Sequence, residues 1–231
     1  MGNCSNFLSN FEFIFVNFLM ENSLKKIYKS IKKDIILRLK EFKDLWKNGS
    51  EEDIFKELIF CILTPQSKAE KCWETVLNLQ NKNLLFNGRV DEIINELKNV
   101  RFRFKKAKYI LEVRKKFFID GNLKIREKLK EFNNVFEARE WLVKNIKGIG
   151  YKEASHFLRN IGIGENLAIL DRHILKNLKL FNIIDEIPKN LNKKIYFEIE
   201  EKMKEFSKRI NIPISHLDFV LWYKETGRIF K

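Results

Sequence analysis

Apolar residues recur along most of the chain at intervals of three and four positions, the spacing that places them on one face of an α-helix. The longest example runs from Leu24 to Trp46, and Asn48-Gly49-Ser50 ends it. Ser50, which precedes three acidic residues, and Ser67 are predicted to cap the next two helices. Further helices are predicted near residues 90–98, 104–119, 122–132, 135–146, 188–208 and 213–224. No window alternates with a period of two, so the pattern indicates an all-α protein without a sheet.

The composition agrees with a helical protein and adds a strong positive charge. Only 9 glycines and 3 prolines interrupt the 231 residues, which leaves few positions that would break a helix. Hydrophobic residues make up 45% of the chain, enough to form a buried core. The net charge of +14 favours a polyanionic partner such as a nucleic acid.

Cysteine content and the first residues bear on metal binding and location. Cys4, Cys61 and Cys72 are too few for a four-thiolate zinc site, an iron–sulfur cluster or a disulfide framework, which favours a cytoplasmic protein. The apolar run at residues 11–19 is shorter than the roughly 20 residues that span a membrane, and no signal-peptide features accompany it. Residues 1–19 are predicted to be an N-terminal extension of uncertain status, outside any membrane.

The segment WLVKNIKGIGYKEASHFLRN predicts two helices joined by the tight turn Gly148-Ile149-Gly150. The two glycines allow the turn, and Ile149 can anchor it in the core. Backbone N–H groups at the start of the second helix would then point outward and bind a phosphate. By itself, such a turn is more often an ordinary connection between helices than a DNA-binding element.

The residues around this turn resemble a known superfamily. GIGYKEA contains Lys152 and stands 19 residues, counted from that lysine, before Asp171 of LAILDRH. This combination is similar to that of the helix-hairpin-helix DNA glycosylases, the superfamily of endonuclease III and the 8-oxoguanine DNA glycosylases. The resemblance extends from about Phe55 to the end of the chain and includes LIFCILTPQSKAEKCW and FKKAKYILEVRK.

The resemblance implies a catalytic pair, Lys152 and Asp171. A lysine at this position marks enzymes whose amine attacks the sugar, displaces the base and leaves a Schiff base that permits β-elimination of the strand. Asp171 precedes RHILKNL, so it is predicted to cap that helix, and the resemblance adds stabilisation of the positively charged sugar. His173 is predicted to be a packed residue rather than a catalytic one.

The end of the chain indicates which base is recognised. No cysteine follows Cys72, which disfavours the endonuclease III group, whereas HLDFVLWYKETGRIFK resembles the compact type 2 8-oxoguanine DNA glycosylases found mainly in archaea. From that resemblance, Trp222 is expected to stack on the base and Lys231 to read its polar edge. An acceptor, either the terminal carboxylate of Lys231 or the side chain of Asp218, would distinguish the N7–H of 8-oxoguanine from the bare N7 of guanine. Phe219 is predicted to be a core residue.

Two further segments are predicted to contact DNA once the damaged nucleotide is flipped out. Gln66 is a candidate for filling the vacated space, and capping of the next helix is an equally weighted alternative. Arg101 and Phe102 would supply a second probe, whereas Phe104 is predicted to pack in the core. The lysines of the same segment are predicted to contact phosphates: Lys105, Lys106 and Lys108.

The resemblance therefore implies a two-lobed all-α glycosylase with its active-site cleft between the lobes. Residues 20–49 and 165–231 would form one lobe, and residues 50–164 the other, with the hairpin element at about 136–161. The expected activity is excision of 8-oxoguanine from double-stranded DNA, followed by strand cleavage, by a monomer without catalytic metal or redox cofactor. A monovalent cation at the hairpin is also expected. The alternatives are a glycosylase of the same fold for oxidised pyrimidines and a non-catalytic helical DNA-binding protein.

Overall fold

The structure, a computed structural model, describes the backbone of residues 3–231 and the side chains of residues 18–231. The predicted extension, residues 1–19, lies outside the described side chains except for Phe18 and Leu19. A short 3-10 helix spans Leu97–Asn99. The α-helices are α1 (Asn3–Asn48), α2 (Glu51–Leu63), α3 (Ala69–Asn81), α4 (Leu84–Asn87), α5 (Val90–Glu96), α6 (Arg103–Phe117), α7 (Ile125–Lys130), α8 (Val135–Asn145), α9 (Tyr151–Asn160), α10 (Arg172–Leu180), α11 (Lys193–Ile210) and α12 (Ile214–Thr226).

A small β-hairpin corrects the prediction that the chain has no sheet. Strands β1 (Phe118–Ile119) and β2 (Asn122–Leu123) pair antiparallel, and both residues of the Asp120-Gly121 turn have positive φ angles, 50° and 79°. Such a two-residue turn is a strong hairpin signal. Because of this hairpin, the helix predicted over residues 104–119 ends at Phe117. The helix predicted over residues 122–132 begins only at Ile125.

The chain forms two compact units. The terminal unit contains Met1–Arg38 and Asn166–Phe230, and the central unit contains Leu39–Glu165 and Lys231. The boundary in the first helix lies between Arg38 and Leu39, inside α1, whereas the sequence placed it at the end of that helix. Within the described residues, none of the helices has an apolar stretch of the length that a membrane span requires.

The core of the central unit is built around α2 and α9. Most side chains of both helices are buried; those of α2 are mainly apolar, whereas α9 also buries polar and charged side chains such as His156 and Arg159. Ser50 begins α2 as predicted, with its side chain accepting from the Asp53 N–H and the Asp53 carboxylate accepting from the Ser50 N–H. Glu57 is the buried acidic residue of α2 and is 3% exposed.

In the terminal unit, two buried side chains hold the extended segment that leads to α10. The Tyr196 hydroxyl donates to the Ala168 carbonyl over 2.7 Å, and Glu200 accepts from the Ala168 N–H over 2.8 Å. Both side chains come from α11, which therefore fixes the backbone just before Asp171.

Candidate functional site

The turn between α8 and α9 has the predicted hairpin geometry. Gly148 has a φ of +85°, and a Cβ atom there would lie 2.6 Å from the Tyr109 ring, so this position requires glycine for two reasons. Ile149 is 6% exposed and anchors the turn in the core, as predicted. Gly150 is the N-cap of α9 and has an ordinary φ of −100°.

The first turn of α9 already contains a carboxylate of the protein. The Gly150 N–H donates to Glu153 Oε2 over 3.2 Å. A phosphate would therefore displace this carboxylate or use the amides that follow. Phosphate binding by Gly148, Ile149 and Gly150 stays a prediction.

Lys152 is the second residue of α9 and is half-buried. Its Nζ lies 3.8 Å from Glu153 Oε1. His156 follows one turn later, where burial lowers its pKa well below the ordinary value and the charges of Lys152 and Arg159 lower it further. A neutral imidazole therefore lies near the amine at physiological pH.

Asp171 is the N-cap of α10, as predicted. Its Oδ1 accepts from the Ile174 N–H over 2.8 Å, which satisfies one of the unpaired amides at the start of this helix. Asp171 belongs to the terminal unit and Lys152 to the central unit. The roles assigned to the two residues in catalysis stay predictions.

His173, which follows Asp171 by two residues, packs against Trp222. The two rings meet edge to face, with centroids 4.9 Å apart and an interplanar angle of 87°. This contact agrees with a packed histidine and leaves Trp222 half-buried. On the same helix as Trp222, Phe219 lies in the core as predicted, and Asp218 is 9% exposed. The stacking role of Trp222 and the acceptor role of Asp218 stay predictions.

The side chain of Lys231 contacts other residues of the central unit. Its ammonium pairs with the Glu57 carboxylate and lies 3.3 Å from the centroid of the Trp73 ring. Glu57 also accepts from the Asn160 amide over 3.0 Å. A direct contact between the Lys231 ammonium and a base would therefore have to break a buried ion pair.

Gln66 lies on an exposed loop between α2 and α3 and has a φ of 56°. The prediction that Ser67 caps α3 is wrong, because Lys68 is the N-cap and makes no side-chain cap bond. The Ser67 hydroxyl instead accepts from the Arg101 N–H over 3.0 Å. Capping therefore does not account for Gln66 or Ser67, whereas exposure of Gln66 agrees with a DNA contact.

Arg101 and Phe102 are exposed just before α6, as a DNA probe must be. Phe102 has a φ of 59° and is 52% exposed, and the Arg101 guanidinium lies over its ring. The prediction that Phe104 packs in the core is wrong, because its side chain is 59% exposed. Arg103 covers the Phe104 ring at 5.0 Å.

The prediction that Lys106 contacts a phosphate is also wrong for this conformation. Lys106 is 4% exposed, and its ammonium donates to the Leu63 and Pro65 carbonyls, each over 2.8 Å. Burial lowers its pKa to about 8. Lys105 and Lys108 are exposed on the same helix and remain candidates for phosphate contact.

No group of three His, Cys, Asp or Glu side chains within residues 18–231 is arranged to hold a metal ion. The expectations of catalysis without a metal and of a monovalent cation at the hairpin carbonyls stay predictions.

Residues 35–212 match the family model described as 8-oxoguanine DNA glycosylase. The chain belongs to this family. A family member from Fusobacterium nucleatum, named 8-oxoguanine DNA glycosylase/AP lyase, is 51% identical over 91% of this chain and 97% of its own length. A member with the same name from Methanocaldococcus jannaschii is 42% identical over 92% of this chain and 100% of its own length.

Solved structures of family members have the same fold. The 8-oxoguanine DNA glycosylase of Thermotoga maritima is 36% identical, with a TM-score of 0.83 over 93% of this chain and 100% of that structure. The M. jannaschii enzyme in complex with a 15mer DNA containing 8-oxoguanine is 40% identical, with a TM-score of 0.83 over 92% of this chain and 100% of that structure. The helix-hairpin-helix glycosylase fold predicted from the sequence is thereby confirmed.

The sequence did not reveal the contacts of three residues that organise the candidate site: Glu57, Trp73 and Ser67. A signal for Glu57 was present, because it is a carboxylate inside the apolar run of α2. Ser67 was singled out for capping, but its bond to Arg101 spans 34 positions and has no local signature.

Proposed function

We propose that this protein excises 8-oxoguanine from DNA and then cleaves the strand, with Lys152 as the nucleophile. The observation that carries the proposal is Lys152 itself, which stands at the start of α9 directly after the hairpin in a member of the 8-oxoguanine DNA glycosylase family. Relatives that match nearly their whole length are named 8-oxoguanine DNA glycosylase/AP lyase.

The reaction begins with an attack of the neutral Lys152 amine on C1′ of the damaged nucleotide. The C1′–N9 bond breaks, the base leaves with the bonding electrons, and the amine forms a Schiff base with the opened sugar. The iminium makes the C2′ proton acidic, and its removal expels the 3′ phosphate by β-elimination. Water as the nucleophile would not provide this second step.

Asp171 has two compatible roles in this proposal. Its Oδ1 caps α10 and thereby fixes the position of the carboxylate. We assign Oδ2 to the sugar, where a negative charge stabilises the positive charge that develops as the base leaves. Because the cap already fixes the carboxylate, little reorganisation is needed when the charge develops.

For the base, we assign stacking to Trp222 and acceptance of the N7–H to Asp218 or to a terminal carboxylate of Lys231. The ion pair of the Lys231 ammonium with Glu57 supports a main-chain rather than a side-chain role for Lys231. A residue appended after Lys231 tests this choice. Discrimination against guanine falls if the carboxylate reads the base and persists if Asp218 does.

The partner we propose is damaged double-stranded DNA, bound by a monomer in the cytoplasm without a catalytic metal or redox cofactor. The net charge of +14 and the exposed Lys105 and Lys108 support electrostatic binding of DNA phosphates. A monovalent cation at the hairpin would add a further contact to the backbone.

Borohydride trapping on a duplex with a single 8-oxoguanine tests the proposal, because borohydride reduces the Schiff base to a stable adduct. The wild-type protein should form an adduct that Lys152→Gln does not form. Lys147→Gln is the matched control, since Lys147 lies in the same turn but is exposed and paired with Glu112. An undamaged duplex should give no adduct with any variant.

The other outcomes separate the two alternatives. An adduct that forms only on a duplex with an oxidised pyrimidine would assign the protein to that substrate class. A wild-type protein that binds the lesion duplex but forms no adduct on either substrate would be a non-catalytic DNA-binding protein.

A further inference from the structure

Gln66 and Phe102 have unusual backbone conformations. Six non-glycine residues in the described chain have positive φ angles, and four of these are Asn or Asp, which tolerate that region best. The exceptions are Gln66, with a φ of 56°, and Phe102, with a φ of 59°. Strained positions of this kind persist only where the surrounding structure holds them, and they cluster at functional sites.

A buried side chain braces the loop of Gln66, whose turn is also closed by the Ser67 N–H donating to the Thr64 carbonyl over 3.0 Å. The Lys106 ammonium donates to the Pro65 carbonyl over 2.8 Å and to the Ser67 hydroxyl over 3.3 Å, so it binds the residues on both sides of Gln66. Its remaining proton goes to the Leu63 carbonyl at the end of α2, over 2.8 Å. The loop is therefore fixed to α6 and α2 together.

The same contacts reach the segment of Phe102. Ser67 Oγ, which accepts from Lys106, also accepts from the Arg101 N–H over 3.0 Å. Phe102 follows Arg101 and precedes α6, whose first turn carries Lys106. Lys106 and Ser67, which we call the Lys106 clamp, thus connect the two segments that present Gln66 and Phe102.

Burial of an ammonium is unfavourable unless every proton finds an acceptor. Lys106 has three acceptors at 2.8, 2.8 and 3.3 Å, which makes the geometry of the loop a condition for burying the charge. The pKa of Lys106, lowered to about 8 chiefly by burial, agrees with a charge held at some cost. A surface lysine among many others would not need such an arrangement.

We propose that Lys106 is a positioning residue for nucleotide flipping, which holds Gln66 and Phe102 in place through the Lys106 clamp so that both enter the duplex together. The proposal rests on the proposed function. A preformed pair avoids ordering two loops at the moment when the damaged nucleotide leaves the stack. Lys106 itself touches neither the DNA nor the reacting atoms.

The test compares Lys106→Met with Lys115→Met, a control on the same helix whose lysine is exposed. Two single-turnover rates are measured: excision from a duplex with 8-oxoguanine, and strand cleavage at an abasic site in a single-stranded oligonucleotide. The second reaction needs Lys152, but a single strand has no vacated space in a duplex that Gln66 or Phe102 would have to fill. Misplacement of the probes by about 1 Å should lower duplex excision by about 10- to 100-fold.

The single-strand reaction of Lys106→Met should stay within about twofold of the wild type, and Lys115→Met should leave both reactions within the same range. Equal losses in both reactions would indicate general damage to the fold and would overturn the proposal. So would unchanged excision from the duplex. If Lys106→Met does not fold, Ser67→Ala carries the same test, because it removes only the hydroxyl that links Lys106 to Arg101.

A double-mutant comparison separates positioning from any other effect of Lys106. In a Gln66→Ala Phe102→Ala background, Lys106→Met should lower duplex excision by no more than about twofold, because the residues it positions are absent. A persistent large loss in that background would refute the proposal.

Fluorescence of 2-aminopurine beside the lesion reports base flipping without any excision. If the wild-type protein excises no 8-oxoguanine, the proposed function fails, but this signal still tests Lys106. Lys106→Met should reduce the fluorescence increase, whereas Lys115→Met should not. Equal increases for both variants would count against the positioning role alone.

Discussion

Replacement of Gly148 by alanine is expected to damage the hairpin, whereas the same replacement at Gly150 is not. At Gly148 the backbone has a φ of +85°, where an L-residue costs about 1–2 kcal/mol. The added Cβ would lie 2.6 Å from Tyr109 Cδ2 and 3.0 Å from Cε2, so the half-buried ring must move. Overpacking of this kind costs about 1–3 kcal/mol, which gives a loss of about 2–5 kcal/mol in total.

Gly150→Ala is the matched control in the same turn. Gly150 has a φ of −100°, and its added Cβ would come within 4 Å only of Glu153 Oε2, at 3.1 Å. That atom ends a flexible side chain and can move. We therefore expect the free energy of unfolding to change by no more than about 1 kcal/mol.

Urea unfolding of the two variants measures this difference, and titration of an undamaged duplex measures its effect on DNA binding. In a Tyr109→Ala background the clash is absent, so Gly148→Ala should lower the free energy of unfolding, relative to Tyr109→Ala alone, only by the backbone cost of about 1–2 kcal/mol. If phosphate contacts depend on the hairpin, Gly148→Ala also lowers duplex affinity and the salt dependence of binding. Equal stabilities of the two glycine variants would refute the reasoning.

Two further predictions concern titration and capping. The native pKa of Lys106, about 8, lies below its ordinary 10.5, so the unfolded chain binds more protons between these values and stability rises with pH. In urea unfolding, the free energy of unfolding of the wild type relative to Lys106→Met should rise by about 2 kcal/mol from about pH 7.5 to about pH 9.5. A difference between the two proteins that does not change with pH would contradict this prediction. Asp171→Asn keeps the cap acceptor, so its free energy of unfolding should lie within about 0.5 kcal/mol of the wild-type value, whereas that of Asp171→Ala should be about 1 kcal/mol lower. Single-turnover excision should fall about 100-fold in both variants, and full activity of Asp171→Asn would exclude the electrostatic role.

Features with a local cause could be predicted from the sequence. The caps at Ser50 and Asp171 depend on residues within one helical turn, and both form as expected. The hairpin depends on the glycines and on Ile149, which are adjacent in the chain. The β-turn at Asp120-Gly121 was equally local, but its two-residue strands are too short for a period of two to show.

The exposure of Phe104 follows from its position on α6. The buried residues of α6 recur at the helical period: Lys106, Ala107, Ile110, Val113 and Phe117. Phe104 lies off this stripe, so a strict count of positions would have placed it outside the core. A basic residue at the first position of the stripe concealed the register, because Lys106 looks like a surface lysine.

Glu57 marks the limit of what the sequence could predict. A carboxylate inside the apolar α2 requires a buried partner, because an isolated charge there would be strongly unfavourable. That argument predicts a cation but does not choose among 45 lysines and arginines. The structure supplies Lys231, 174 positions away, together with Asn160. Residues with a local motif can thus be assigned from the sequence, whereas the long-range partners that hold them require the fold.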